Sequence, residues 1–174
     1  QYKGVYASHI RYEDHRVFEA VEEAVTIGRE AKIPVEISHL KVAGKASWGK
    51  SEALISKLYE YRSAGIDVMV DQYPYTASST TLSTQIPDWA LGGGNDSLNI
   101  RLSNPKTKAK IVSGMKKMLA ESGAENYSFA VIANCPWDTT LNGKSIPQVT
   151  QKQKGEINSL DDEIETVLKL CSRG

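Results

Sequence analysis

Three groups of side chains in this 174-residue chain are of types that do chemistry: His9 and His39, Lys41, and the tyrosines Tyr73 and Tyr75 on either side of Pro74. His9 and His39 each follow a serine, in YASHIR and EISHLK, at the end of a short apolar run. Neighbouring parallel strands lie about 4.8 Å apart, so two imidazoles at such strand ends can converge on one cation. Zinc is the usual match for nitrogen ligands with an open position, and it brings a bound water to a pKa of about 7, giving hydroxide at neutral pH. The same histidines can equally be strand-end residues hydrogen-bonded to nearby backbone, and two ligands do not complete a site.

The other candidates carry similar alternatives. Lys41 can bind a carboxylate, form a Schiff base or lie exposed, and its place just past the strand end fits carboxylate binding better than the buried setting a Schiff-base lysine needs. The YPY turn aims two phenols away from a strand end, or packs them. Asp71 is a metal ligand or the cap of the loop after it, Cys135 is a small buried residue, and His15 lies in the charged start of a helix and is solvated.

These residues need elements to place them. Gly4 to His9 reads as a strand. From Asp14, Val17, Val21, Ala24, Val25 and Gly28 recur at helical spacing, and Pro34 requires that helix to have ended. Val35 to His39 is a second strand. A second helix starts at Ser51 as N-cap and stops at Gly65, and Ile66 to Asp71 is a third strand. Residues 72–104, rich in Ser, Thr, Pro and Gly, are too long for an ordinary connection and read as a substrate loop or lid insertion. Asn104-Pro105 opens a third helix, Tyr127 to Ala133 is a fourth strand, and a last helix begins near Ser159.

Strand then helix, four times over, implies parallel strands with right-handed crossovers, in an open doubly wound sheet or part of a (β/α)8 barrel. No GxGxxG or GxxxxGK[ST] follows a strand, which removes the main argument for a nucleotide site. His9, His39, Asp71 and Asn134 all fall at the C-terminal ends of strands, where such sheets carry their chemistry. Lys+Arg and Asp+Glu balance at 21 each, so there is no basic excess to bind nucleic acid or a membrane surface. No apolar stretch reaches bilayer length, and no signal pattern opens the chain. Two cysteines, Cys135 and Cys171, are too few and too far apart for a disulfide framework, so the expected compartment is the cytoplasm.

YASHIRYE, then EISHLKVAGKASWGK, then DQYPYTASST, in this order and spacing, closely resembles the N-acyl-D-amino-acid deacylases, the D-aminoacylase branch of the amidohydrolase superfamily. The resemblance is specific over roughly residues 3 to 90 and looser beyond, where NCPWDTTLNGKSIPQVT resembles the segment after strand seven. It implies a partial (β/α)8 TIM-like barrel, its C-terminal half, in four parallel strand-helix units. It implies that His9 and His39 are the metal ligands of strands five and six and that the cofactor is zinc, one ion or two. By the same resemblance, Lys41 and Tyr73 bind the substrate carboxylate and Ser79 lines the pocket. The family's HxH pair, bridging cysteine and strand-eight aspartate have no counterpart among these residues. Neither Cys135 nor Asp71 takes their place, and no catalytic acid–base residue is assigned.

The expectation is therefore a fragment of a zinc-dependent enzyme that cleaves N-acyl-D-amino acids. Alone, it is expected to be inactive, to bind zinc weakly and to self-associate through unpaired barrel edges. The alternatives are a cyclic amidase of the dihydroorotase or hydantoinase kind, and a non-catalytic structural module.

Overall fold

The computed structural model describes residues 3–155 and 159–173. The chain divides into two compact units, Gln1–Thr76 and Ala77–Gly174.

In the first unit, strands β1 (Tyr6–Ser8), β2 (Val35–Ile37) and β3 (Val68–Val70) form a parallel sheet in the order β1-β2-β3. Ser8, Ile37 and Val70 stand in register at its C-terminal edge. Helix α1 (Val17–Ala31) connects β1 to β2 and α2 (Ser51–Ser63) connects β2 to β3. Apolar residues three and four apart on α1, Val17, Ala20, Val21, Ala24, Val25 and Gly28, are all buried, and with Val35 and Ile37 of the sheet they make the core. Gly28 is where helix and strand come closest: a Cβ there would lie 2.0 Å from Val35 Cγ2.

The helix ends ahead of Pro34, with Lys32 in the left-handed region (φ 55°) and the Ile33 N–H donating to Gly28 O at 3.0 Å. Helix α2 buries Leu54, Leu58 and Tyr61 and closes at Gly65, whose φ of 85° suits a residue without a Cβ. Ser51 is its first helical residue rather than its cap; Lys50 holds the cap position.

The second unit is helical: α3 (Asp88–Leu91), α4 (Gly94–Ser103), α5 (Pro105–Glu121), α6 (Ile146–Lys154) and α7 (Leu160–Cys171). Ile111, Met115 and Leu119 of α5 pack with Ile146 and Val149 of α6, Ile164 and Val167 of α7, and Tyr127. Asn104 caps α5, its Oδ1 accepting from the N–H groups of Lys106 and Thr107, with Pro105 in the first turn. A capping box opens α7, the Ser159 hydroxyl accepting from Asp162 N while the Asp162 carboxylate accepts from Ser159 N. The segment 72–104 is not structureless, since α3, α4 and a 3-10 turn at Leu82–Gln85 lie within it.

The expected fourth strand does not form, so the described sheet has three strands and the count of four strand-helix units is corrected to three strands with two crossover helices. Tyr127–Phe129 is a 3-10 turn, capped by the Asn126 side chain on Ser128 N. The residues after it pair locally and antiparallel: Val131 bridges Ser145, Ile132 N donates to Lys144 O at 3.0 Å, and Gly143 N donates to Ile132 O at 2.8 Å. Asn142-Gly143, with Gly143 at φ 77°, supplies the tight turn that lets nearby backbone satisfy these groups. A similar shift occurs at His39, which lies beyond the last strand residue with φ 43°, a left-handed conformation rather than an extended one.

Candidate metal centre

The parallel register delivers its residues to one edge. Ser38 N donates to Ser8 O at 3.0 Å, Asp71 N to Ile37 O at 3.2 Å and Leu40 N to Asp71 O at 3.0 Å, so the loops leaving all three strands are tied together just above the sheet. Asp71 also accepts the His39 N–H on Oδ1 at 2.6 Å, and Gln72 Nε2 donates to Leu40 O at 2.7 Å. These bonds hold His39 in a backbone region that costs a residue with a Cβ of order 1–2 kcal/mol.

Within that frame His9 Nδ1 and His39 Nε2 face each other at 2.9 Å, their ring centroids 4.7 Å apart and tilted by 59°. Glu13 lies close to both rings. Its Oε1 is 3.0 Å from His39 Nδ1, 2.5 Å from Lys41 Nζ and 3.8 Å from His9 Nδ1. Lys41 Nζ donates to His39 O at 2.8 Å and is 2.8 Å from His39 Nδ1. The Glu13 and Lys41 side chains are only 18% and 19% exposed, so the lysine is not a solvated surface residue. The Tyr73 ring lies 5.5 Å from Lys41 Nζ and 6.5 Å from the His39 ring, and Tyr75 stacks on it at 6.3 Å.

Below this cluster, partial burial, with the Asp71 carboxylate and its hydrogen bond, holds the Glu36 carboxyl above the ordinary glutamate range. Glu36 shares a register row with Ala7 and Met69, on the sheet face opposite Val35.

Of the residues singled out from sequence, His9, His39, Lys41 and Tyr73 thus gather at one strand edge. Ser79 is an exposed residue of the second unit. His15 is exposed, beside Asp14. Cys135 is buried in the second unit and Cys171 is half-buried, with its thiol pushed up to about 11 by burial. The residue that sequence reasoning missed is Glu13, which with His9 and His39 makes a group of three potential ligands whose donor atoms lie within 4.8 Å of one another.

The donor set fits a metal of the zinc type. Tetrahedral bonds of 2.0–2.1 Å put two nitrogen ligands about 3.3 Å apart, and the facing imidazole nitrogens are within half an ångström of that. The paired histidines thus stand at the C-terminal edge of a parallel sheet, where α/β proteins place their chemistry.

The comparisons with known proteins narrow this. Three curated relatives come from Alcaligenes xylosoxydans xylosoxydans: a D-aminoacylase, 46% identical over 79 residues, an N-acyl-D-glutamate deacylase, 40% identical over 84, and an N-acyl-D-aspartate deacylase, 38% identical over 78. The matched stretches are 45–48% of this chain and 16–17% of those proteins. A crystal structure of a D-aminoacylase that defines a subset of amidohydrolases superposes with a TM-score of 0.60 at 25% identity, over 96% of this chain and 26% of that one. A second D-aminoacylase structure, with the same score and coverage, concerns a binuclear metal centre with one-metal activation and second-metal attenuation. No family model matches. The chain is a relative of the D-aminoacylases and N-acyl-D-amino-acid deacylases, and it corresponds to about a quarter of the D-aminoacylase structures it resembles.

Proposed function

We propose that this chain is part of a (β/α)8 barrel enzyme that hydrolyses the amide bond of N-acyl-D-amino acids, with His9 and His39 as metal ligands and Lys41 and Tyr73 at the substrate carboxylate. The observation that carries the reading is the pair of imidazole nitrogens facing each other at 2.9 Å with the Lys41 ammonium 2.8 Å from His39 Nδ1. The relatives named as deacylases of D-amino-acid derivatives support the substrate class, and the parallel three-stranded sheet supports the barrel. A bound zinc would polarise the amide carbonyl and lower the pKa of water.

The chain's own residues provide placement. His9 and His39 are fixed by strand register and by the Asp71 bond. Lys41, already paired with Glu13, offers a cation to the substrate carboxylate, and Tyr73 walls that side. Anchoring the carboxylate some distance from the scissile amide converts binding into orientation of the carbonyl. The segment 72–104 is proposed to contribute the substrate loop, with Ser79 in it.

The test is to measure zinc content and hydrolysis of N-acetyl-D-methionine, N-acetyl-L-methionine and dihydroorotate by the whole protein that carries this chain, with and without His39→Ala. Zinc-dependent cleavage of the D-substrate, lost in the variant, is the expected result. Absence of stoichiometric zinc, or preference for the cyclic substrate, overturns it.

A further inference from the structure

An ammonium has three N–H donors and no acceptor. Lys41 Nζ has three atoms within hydrogen-bond distance: Glu13 Oε1 at 2.5 Å, His39 O at 2.8 Å and His39 Nδ1 at 2.8 Å. The first two are oxygens that only accept, so two of the donors are committed. The third, toward His39 Nδ1, is the one that a ligand's oxygen can take over. The two oxygens differ in what they contribute. His39 O belongs to the same loop, two residues back, and travels with it. Glu13 enters from the loop after β1, so its bond ties the ammonium to a second segment. Among the described residues Glu13 is the one carboxylate paired with Lys41.

We propose that Glu13 is a positioning residue of the carboxylate subsite: it holds the Lys41 ammonium in one place, with one N–H left for the carboxylate of an N-acyl-D-amino acid. This rests on the reading of Lys41 as the group that binds that carboxylate. A lysine stem is long and flexible, and a cation that must be ordered at each binding event gives up part of its affinity. Here the order is built in. The Glu13 and Lys41 side chains are both largely buried, so theirs is not one of the solvated surface pairs that salt screens and side-chain motion opens. The backbone of Glu13 is fixed as well, Glu13 O accepting from Ala43 N at 2.6 Å across the same two loops. The Tyr73 ring, 5.5 Å from Lys41 Nζ, bounds another side of the ammonium.

The experiment uses the whole protein that carries this chain, loaded with zinc, and the variants Glu13→Ala, Glu13→Gln, Lys41→Met and the double variant Glu13→Ala/Lys41→Met, each checked by circular dichroism. KM and kcat are measured on N-acetyl-D-methionine and on its analogue lacking the carboxylate, and 15N NMR of the lysine side chains reads the order of the Lys41 ammonium. Glu13→Ala is expected to raise KM for the acid about tenfold with kcat changed far less, to lower the preference for the acid over the analogue by the same factor, and to give Lys41 the mobility of a free lysine. Glu13→Gln, which keeps an acceptor oxygen, should lose less. In the Lys41→Met background Glu13→Ala should add nothing further, whereas a merely structural Glu13 gives additive losses. Unchanged or lowered KM in Glu13→Ala, or additive losses, overturns the role of Glu13; if Lys41→Met alone still raises KM for the acid, the carboxylate reading stands. If Lys41→Met leaves that KM unchanged, the carboxylate reading falls and the role of Glu13 with it, as both do if wild type hydrolyses neither substrate. If Glu13→Ala does not fold, the same cycle is run with Glu13→Gln, and additivity there overturns the role.

Discussion

Asp71 accepts the backbone N–H of His39 at 2.6 Å, and this bond from the end of the third strand keeps a residue with a Cβ at φ 43° at the end of the second. Glycine at position 39 would relieve the conformation, whereas alanine at 71 would leave it unsupported. His39→Gly is expected to stabilise the first unit by about 1 kcal/mol, and Asp71→Ala to destabilise it by about the same amount, the exposed carboxylate making a weaker contribution than a buried one. Denaturant unfolding compared across the two variants checks this; a destabilised His39→Gly contradicts it.

Gly28 sets the distance between α1 and the sheet. Gly28→Ala would place a methyl 2.0 Å from Val35 Cγ2 and 3.0 Å from Ile33 O, so helix and strand must part. A loss of about 1–3 kcal/mol is expected despite the better helix propensity of alanine, measured as a lower melting temperature of the first unit.

Asp162 carries a pH dependence. The Lys154 side chain first, then the Ser159 backbone N–H and hydroxyl, hold its carboxyl down from 3.8 to about 2. A depressed carboxyl favours the folded state fully above its unfolded value, and the contribution is lost as pH falls from about 4 to about 2. Melting curves recorded over that window should show wild type losing stability more steeply than Asp162→Asn. Parallel curves exclude the contribution.

On the proposed function, Lys41→Met in the whole protein that carries this chain should raise KM for N-acyl-D-amino acids at least about tenfold, the order of one lost charge-assisted hydrogen bond, and leave an N-acylamine lacking the carboxylate unaffected. Equal effects on both substrates would move Lys41 from binding to the metal centre.

Strands β1 and β3 each have one edge unpaired among the described residues, and Met69 and Val70 of β3 are 41% and 43% exposed. Such edges recruit further strands. The isolated chain is expected to show a mass that rises with concentration in light scattering; a constant monomer mass counts against it.

The first unit was legible because its signals are local. Helical spacing from Val17 to Gly28, Pro34 as a stop and Gly65 as a C-cap place the helices, and the two Ser-His frames mark the strand ends. What could not be read is what tertiary contact decides. Glu13 follows His9 by four residues but does not sit on a helix with it, so its tie to His39 and Lys41 exists only once β1 and β2 are adjacent. The left-handed turn at His39 carries no glycine or asparagine to announce it and depends on Asp71, 32 residues away. The fourth strand was misassigned from its apolar run, whereas Asn142-Gly143 already marked a local turn, and capped helix α6 lay unread behind Ser145 and Pro147.

Glu13 O to Ala43 N, together with Glu13 Oε1 to Lys41 Nζ, laces the loop after the first strand to the loop after the second. The candidate site is therefore tied to two connecting segments as well as to the sheet beneath them. One residue inserted between His9 and Glu13 should leave the strands and their helices intact while unhooking both the histidine and the lysine, so that in this architecture fold and reactivity can be lost separately.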